Sequence, residues 1–557
     1  MENREIKNER IDDIPLLLEQ IKEMRIQELL DKHIIPHKNW EGASVGWVSS
    51  IWLSHILSEA SHKMNHVEEW ATYRIESLRK CTGEKIQTKD FTDDRLASIL
   101  RLFSNDTYWK EFETALNQNI IRIYELTDKT IRLDSTTANS YCNPEGMFQF
   151  GHSKDRSDLP QIKIMMSSID PLGMPLTTAI VEGNKADDPL YIPTIKQVRT
   201  SLGRKGLLYV GDCKMGALET RAFIAKGGDF YLCPLPATQV LEIEPSTQTQ
   251  CIERGKEIIA TGYEVEKEKG TTLDGKPFKW KERQLIVRSF QYAKASEHGL
   301  KSRLEKATEE LLELNKRGKG KRFPKTPDEL KSKIEGIITH YRVKGILQID
   351  HTEEKEERRV RPYKGKPQRV DITWRFSLQV TINPTALESA VEKMGWKVYV
   401  TNAPKEQMPL EDAVLAYRNE YLIERVFGRL KGKTLSLSPM YVERDDHATG
   451  LVRLLSIGVR VLTLLEFVVR KRLAEEQREL FGLYAGNPKR ATARPTTERL
   501  LRAFHQMTWT LVRTPNEEYS QVTPLSKLQQ DILGLLGFSM EVYTQLCDVK
   551  EGVLVAS

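Results

Sequence analysis

Three acidic residues lie where an α/β fold could bring their carboxylates together. Asp134 follows Ile131 and Leu133 in an alternating stretch, so its side chain points away from their face of a predicted strand. Asp212 ends the apolar run LLYVG and precedes a predicted helix, and Glu424 lies on a later amphipathic helix. Ligands of α/β sheets gather at the carboxyl ends of strands. The three acids therefore form an ordered set on the first strand, after the fourth strand and on the late helix.

Three converging carboxylates are suited to binding a pair of Mg²⁺ ions, because these cations prefer oxygen ligands. Two such ions about 3.5–4 Å apart can activate a water or a 3′-hydroxyl on one side of a phosphate and stabilise the leaving oxygen on the other. Each acid also has an ordinary explanation, since aspartates at strand ends cap helices and most helical glutamates are solvated. Taken singly, the residues leave both explanations open.

The stretch YRNEYLIERVFGRLKGK (417–433) predicts one amphipathic helix that carries many cations. Beside its apolar face runs a stripe that consists of Tyr417, Glu420, Glu424, Gly428 and Lys431. Lys431 lies two turns beyond Glu424, and Arg425 and Arg429 flank that line, so these cations could meet a phosphate beside bound metals. An isolated stretch of this kind is more often a solvated helix with i,i+4 charge pairs.

Composition bounds the class of protein that must position these residues. A chain of 557 residues with 39% hydrophobic and 29% charged residues predicts a soluble globular protein of two to four domains. Its net charge of +6 is too modest to identify a partner. Two runs, Lys316–Lys325 and Arg358–Arg369, each contain six cations and no acid. Such runs suit the tracking of a phosphate backbone, although solvated surfaces have the same composition.

Several classes of protein are disfavoured. The six cysteines are scattered without a CxxC, which predicts a reducing compartment and neither a disulfide framework nor a structural zinc site. The polar start lacks a signal core, and the most apolar stretch contains Arg453, Arg460 and Glu466, so we expect no secretion and no membrane. Neither GxGxxG nor GxxxxGK[ST] follows a strand, which argues against a nicotinamide or nucleotide cofactor.

The order of the predicted elements indicates the fold class. We predict an α/β protein with an RNase H-like catalytic core, a largely β insertion domain and helical N- and C-terminal regions. The insertion is predicted from the alternating runs ATGYEVEKE, PFKWKERQLIVRSF, ITHYRVKGILQI and DITWRFSLQVTI around one long charged helix. The predicted divisions are 1–125 (helical), 126–235 (core, first part), 236–395 (insertion), 396–436 (core, second part) and 437–557 (helical).

Four blocks carry a resemblance to a known family. LDSTT, GHSKDRSDLPQIK, VGDCKMG and YRNEYLIERVFGRLKG resemble the signature blocks of bacterial insertion-sequence transposases of the DDE type, in the group whose RNase H-like core is interrupted by a β-rich domain before the catalytic Glu. The resemblance extends from about 133 to 433. It implies that two Mg²⁺ ions, for which Mn²⁺ substitutes, bind a catalytic triad consisting of Asp134, Asp212 and Glu424. It also implies DNA contacts by Tyr417 and Lys431, and the DNA-binding prediction extends to Arg418, Arg425 and Arg429.

The helix motif departs from the family pattern at one position. That pattern is a tyrosine, two residues, an arginine, three residues, a glutamate, six residues and a lysine, and Glu420 stands where the arginine is expected, with Arg418 close by. The predicted metal ligands are in place, but the chain lacks the arginine that makes a phosphate contact in the family pattern. A structural role is favoured over catalysis for a second set of polar residues, which comprises His152, Lys154, Asp155 and Asp158.

The resemblance implies a DNA transposase that binds the terminal inverted repeats of its insertion sequence, cleaves at the ends with a divalent metal and joins the 3′-OH ends to target DNA. We expect double-stranded DNA as the partner, a homodimer on DNA, DNA-end recognition by residues 1–125, a dimerisation role for residues 437–557, and a prokaryotic cytoplasm associated with the nucleoid as the location. One alternative is a metal-dependent DNA nuclease without strand transfer. Another is an inactive relative that only binds DNA.

Overall fold

The structure is a computed structural model that describes residues 5–153, 155–236, 249–316, 324–361, 369–514 and 518–547. The chain divides into two compact units. The first comprises Met1–Cys233, Glu268–Lys281 and Ala416–Ser557, and the second comprises Pro234–Lys267 and Glu282–Leu415. All three predicted metal-binding acids belong to the first unit.

The first unit begins with one strand and a group of helices: β1 (Glu5–Arg10), α1 (Ile14–Glu23), α2 (Ile26–His33), α3 (Val45–Glu59), α4 (Val67–Thr72), α5 (Ile75–Thr82), α6 (Asp93–Ser104) and α7 (Asp106–Ile123). α1 and α2 are separated at Arg25, which has a left-handed φ of 56° and immediately precedes the first residue of α2.

The next elements are β2 (Thr130–Asn139), β3 (Gln161–Asp170), β4 (Met174–Glu182), α8 (Tyr191–Leu202), β5 (Leu208–Gly211), α9 (Leu218–Lys226) and β6 (Phe230–Pro234). Their strands belong to a mixed sheet. These five strands lie in the order β4-β3-β2-β5-β6 and form part of a nine-stranded sheet. The first three are antiparallel, whereas β2 pairs with β5 and β5 with β6 in parallel. The predicted meander leading into parallel strands is therefore present, and β3 is buried along its whole length.

The second unit contains most of the next elements: β7 (Gln250–Arg254), β8 (Glu257–Leu273), β9 (Lys276–Ser289), α10 (Phe290–Glu313), α11 (Pro327–Tyr341), β10 (Leu347–Val360), β11 (Arg369–Ile382), α12 (Pro384–Glu392), β12 (Trp396–Thr401) and α13 (Leu410–Arg418). The run ITHYRVKGILQI was predicted as a strand, and this prediction is wrong for its first part. Its first residues end α11, because Leu330, Ile334 and Ile337 recur at helical spacing and are buried.

The chain returns to the first unit with α14 (Tyr421–Lys431), α15 (Asp445–Glu475), α16 (Thr497–Arg502), β13 (Thr508–Arg513), β14 (Glu518–Val522), α17 (Lys527–Leu536) and α18 (Glu541–Thr544). A sheet in the order β1-β13-β14 joins the two terminal regions, which were expected to be helical only. The sequence of β1 shows no apolar alternation, and its one buried residue is Glu9, so this pairing left no periodic signal.

Helix α15 is the buried amphipathic helix that its sequence predicted. Arg453, Arg460 and Glu466 are all buried along it. It contacts α6, α3, α17 and β4 within the first unit. In the part of the chain that the structure describes, no helix is long and apolar enough to cross a membrane.

Candidate active site

The pairing of β2 with β5 brings two of the predicted acids together. These strands are parallel neighbours in which Leu133 lies opposite Gly211, so Asp134 and Asp212 each follow one member of the same pair. Both aspartates border one small cleft, which is lined by Arg132, Leu133, Asp134, Gly211, Asp212, Tyr417, Glu420 and Ile423. Strand register therefore places both aspartates at one cleft, at the carboxyl ends where α/β sheets bind ligands.

Tyr191 orients the carboxylate of Asp212. Its hydroxyl donates a hydrogen bond of 2.6 Å to Asp212 Oδ1, and the backbone N–H of Lys214 donates to the same oxygen at 2.9 Å. Burial, followed by the negative charges of Asp212 and Asp134, raises the pKa of Tyr191 well above its usual value. The hydroxyl consequently stays protonated and remains a donor. The sequence did not indicate Tyr191, because a tyrosine at the start of a predicted helix carries no local sign of a hydrogen bond to Asp212.

Asp134 lies beside a second polar group of buried or half-buried side chains. The backbone N–H of Ser135 donates to Asp134 Oδ1 at 2.7 Å, and the hydroxyl of Ser135 donates to Asp187 Oδ1 at 2.9 Å. Lys163 Nζ lies 2.9 Å from the same Asp187 oxygen. Ser135 thus connects the strand that carries Asp134 to the segment just before α8.

Arg132 binds the backbone just before Tyr417, one of the residues that line the cleft. It lies two residues before Asp134 and therefore on the same face of β2. Its Nη2 donates to Asp170 Oδ2 at 2.7 Å and to the carbonyl oxygen of Ala416 at 2.6 Å. Burial raises the pKa of Asp170, and the charge of Arg132 opposes that rise. The arginine thereby holds the residue that precedes Tyr417 against β2.

The predicted single helix over 417–433 is divided in two. α13 ends at Arg418 and α14 begins at Tyr421. Tyr417 at the end of α13 and Glu420 in the break between the two helices both line the cleft. Glu424 is exposed and lies one turn farther along α14.

The position of α14 depends on the turn between β3 and β4. Gly173 in that turn has a φ of +73°, and a Cβ there would lie 3.2 Å from Val426 Cγ2 and 3.4 Å from the carbonyl oxygen of Leu422. Glycine permits both this left-handed conformation and the close approach of the helix. Gly173 therefore allows α14 to pack directly against the sheet.

The predicted DNA-binding cations differ in their surroundings. Arg429 is buried and pairs with Glu466 at 2.5 Å and with Glu498 at 3.1 Å. Arg425 also pairs with Glu466 but is partly exposed. Arg418 is half-buried at the end of α13. Arg429 is buried and joins α14 to α15 and α16 through these ion pairs, so its position does not support the predicted DNA contact.

Lys431 and the block between β2 and β3 come together. Lys431 Nζ lies 2.7 Å from Asp155 Oδ2, whereas Asp158 pairs with Arg156 of its own loop. Lys154 lies outside the described residues, as does most of each basic run (317–323 and 362–368). The structure therefore assigns a partner to Asp155, for which the sequence indicated no specific role.

Asp134 and Asp212 offer the hard oxygen donors that Mg²⁺ prefers, so the chemistry of the cleft fits a divalent metal. No group of three or more His, Cys, Asp or Glu side chains within the described ranges is close enough to hold a metal ion. Glu424 is not among the described residues that line the cleft, whereas Glu420, immediately before α14, is one of them. The structure thus brings together two of the three predicted carboxylates, and the triad stays a prediction.

Comparisons with known proteins give one family. The family described as "Transposase DDE domain" matches residues 127–459, which is more than half of the chain. No curated protein matches the chain. Among solved structures, a piggyBac transposase synaptic complex with hairpin DNA is similar at a TM-score of 0.34 and 7% identity, over 88% of this chain and 79% of that one.

Proposed function

Because this chain belongs to the transposase DDE domain family, we propose that it binds the terminal inverted repeats of its own insertion sequence, cleaves at their ends and joins the 3′-OH ends to target DNA. The observation that carries this proposal is the register of β2 and β5, which sets Asp134 and Asp212 side by side at one cleft. Phosphoryl transfer requires such acids where a metal and a phosphate meet.

The proposed architecture is an RNase H-like core interrupted by an insertion before Glu424. The strand order of the first unit supports this proposal, since an antiparallel meander leads into parallel strands. The segments of the second unit all lie between Pro234 and Leu415, after Asp212 and before Glu424 in the chain.

Asp134, Asp212 and Glu424 would hold the divalent metal, with Mg²⁺ as the proposed ion and Mn²⁺ as its substitute. When bound, the metal supplies positive charge that stabilises the charge developing on the phosphate and its leaving oxygen. The hydroxyl of Tyr191 and the N–H of Lys214 keep the Asp212 carboxylate oriented for this role.

Two in-line displacements account for the chemistry. Water attacks the phosphorus at the element end, the bond from phosphorus to the 3′-oxygen breaks, and that oxygen takes a proton to become the free 3′-OH. The 3′-OH then loses its proton and attacks a phosphorus of target DNA. The bond from that phosphorus to the 3′-oxygen of the target strand breaks, and this oxygen takes a proton to leave as a 3′-OH. Positioning and electrostatics suffice for both steps, so no covalent protein intermediate is required.

The proposed partner is double-stranded DNA, and bringing two ends together calls for a homodimer on DNA. Tyr417 at the cleft, the nearby Arg418 and the partly exposed Arg425 are the proposed contacts beside the reacting phosphate, with Lys431 farther along α14. Residues 1–125 are proposed to recognise the ends and residues 437–557 to dimerise.

The test is cleavage and joining of a labelled terminal-repeat duplex in Mg²⁺ or Mn²⁺. We expect the native chain to form nicked and joined products. Asp212→Asn and Glu424→Gln should lose both by about 100-fold or more, because each removes a metal-binding charge. Glu420→Gln, one turn away, tests the rival third ligand, and the proposed triad requires that this variant keep its cleavage activity.

The outcomes separate the rival functions. Cutting without joining would identify a nuclease, and binding of the ends without cutting would identify an inactive relative. Loss of cleavage in Glu420→Gln but not in Glu424→Gln would transfer the third metal-binding role to Glu420. Binding of Mn²⁺ measured by electron paramagnetic resonance supplies a second readout for each variant.

A further inference from the structure

One ion pair connects the late helix to a loop that the proposed chemistry does not use. Lys431 Nζ lies 2.7 Å from Asp155 Oδ2, and the two side chains are 16% and 39% exposed, respectively. Lys431 is the last residue of α14, two turns beyond Glu424. The Lys431 side chain is therefore mostly covered, and its ammonium group pairs with a carboxylate.

The loop that carries Asp155 is attached to the strand that carries Asp134. The side-chain amide of Asn139, the last residue of β2, donates to the carbonyl oxygen of Arg156 at 2.9 Å. The hydroxyl oxygen of Ser153 accepts hydrogen bonds from the backbone N–H groups of Asp155 and Arg156, at 3.2 Å and 2.9 Å. These contacts fix the backbone of Asp155, so the ion pair joins β2 to the end of α14.

A neighbouring acid in the same loop provides a contrast. Asp158 pairs with Arg156 at 2.5 Å, and these side chains are 62% and 53% exposed. Asp155 and Asp158 are thus two acids of one loop, of which Asp155 pairs with Lys431.

We infer that Asp155 is a positioning residue that holds Lys431 in the absence of DNA and competes with a DNA phosphate for it. This inference rests on the proposed function, in which Lys431 binds a phosphate of duplex DNA. Carboxylate and phosphate are both oxyanions, and the compact charge of a lysine pairs with either. Binding of a phosphate by Lys431 therefore requires the ion pair to open.

The expected size of the effect follows from the exposure of the pair. Partly exposed ion pairs contribute little to stability, so a phosphate can displace Asp155 at a modest cost. Removing the competing carboxylate should strengthen DNA binding by about two- to fivefold at low salt. Added salt should reduce the gain, because it screens both pairings of Lys431.

The test is a double-mutant cycle on DNA affinity, measured without metal by fluorescence anisotropy of a labelled duplex. One duplex carries the terminal repeat and a second has an unrelated sequence. The variants are Asp155→Asn, Lys431→Met and the double variant, with Asp155→Glu as the conservative replacement and Asp158→Asn as the matched control. Thermal unfolding of each variant establishes that it is folded.

We expect tighter binding by Asp155→Asn, weaker binding by Lys431→Met, and no gain from Asp155→Asn once Lys431 is absent. Asp155→Glu and Asp158→Asn should bind like the native chain. Equal or weaker binding by Asp155→Asn, or the same gain in the Lys431→Met background, would overturn the inference while leaving the proposed function intact. Failure of the native chain to bind either duplex would overturn the proposed function, and the inference with it.

Discussion

The hydroxyl of Tyr191 and the N–H of Lys214 both donate to Oδ1 of Asp212. These two donors fix the orientation of the carboxylate. A carboxylate held by two hydrogen bonds loses less conformational freedom when it binds a cation. Groups that orient a metal ligand in this way contribute strongly to metal affinity. The cleft therefore depends on Tyr191 as well as on its acids.

We predict that Tyr191→Phe lowers both the affinity for Mn²⁺ and the rate of DNA cleavage by about 10- to 100-fold, because Asp212 loses its buried donor. The affinity is measured by electron paramagnetic resonance and the rate with the labelled terminal-repeat duplex. Tyr209→Phe is the control, since this other buried tyrosine lies near Asp229 and Arg199. Unchanged Mn²⁺ affinity in Tyr191→Phe would contradict an orienting role.

Charged side chains of helix α15 connect it to three other elements of the first unit. Its Glu466 accepts hydrogen bonds from Arg425 and Arg429 of α14. Its Arg460 donates to the carboxylate of Glu113 in α7 and to the carbonyl oxygen of Leu176 in β4, each at 2.9 Å. Burial raises the pKa of Glu113 and lowers that of Arg460, and the pairing of the two opposes both shifts. One helix thus fixes α7, β4 and α14 through buried charges.

We predict that Arg460→Met lowers the free energy of unfolding by about 3–5 kcal/mol, because it leaves the carboxyl group of Glu113 buried without its partner. Adding Glu113→Gln should recover part of the loss, since the uncompensated charge is then gone. Urea unfolding followed by circular dichroism measures both variants. Arg478→Met, which breaks an exposed pair with Glu476, should cost no more than about 1 kcal/mol. A loss of that small size in Arg460→Met would argue against a structural ion pair.

A strand near the start of the described chain pairs with one near its end. β1 pairs with β13, and the hydroxyl of Tyr543 donates to the carbonyl oxygen of Asp12 at 2.8 Å. The next residue, Asp13, is buried and accepts a hydrogen bond of 2.5 Å from the hydroxyl of Ser58. Burial raises the pKa of Asp13 to about 7. The junction between the termini therefore contains a carboxyl group that favours its protonated form.

A raised pKa makes stability depend on pH with a definite sign. Between about pH 4 and 7 the folded chain binds a proton at Asp13 that the unfolded chain has lost, so this residue's contribution falls as the pH rises through that window. We predict that Asp13→Asn removes this loss, which amounts to about 4 kcal/mol at pH 7 and above.

Urea unfolding of the native chain and of Asp13→Asn at several pH values measures the difference between them. Burial lowers the pKa of His55 to about 4, which opposes the trend of Asp13 in the same window. Because His55 is present in both chains, its contribution cancels in the comparison. A constant difference in unfolding free energy from pH 4 to 8 would show that Asp13 does not titrate as predicted.

The local elements on which the site depends follow from the pattern of residues along the chain. Alternation placed Asp134 on its strand, the apolar run before Asp212 predicted a buried strand, and periodicity predicted α15 together with the helical character around Glu424. These features were predictable because hydrophobic periodicity reflects which face of an element is buried. The same periodicity predicted the mixed sheet but placed a strand where α11 ends.

The contacts between side chains at the site depend on how these elements pack. Glu420, in the break between α13 and α14, lines the cleft and Glu424 does not, and no change of period in 417–433 marked this break. The contact of Tyr191 with Asp212, the pairing of Lys431 with Asp155 and the joining of β1 to β13 were equally invisible. Each joins residues far apart in the chain, so it depends on how elements pack and not on the local pattern that forms them.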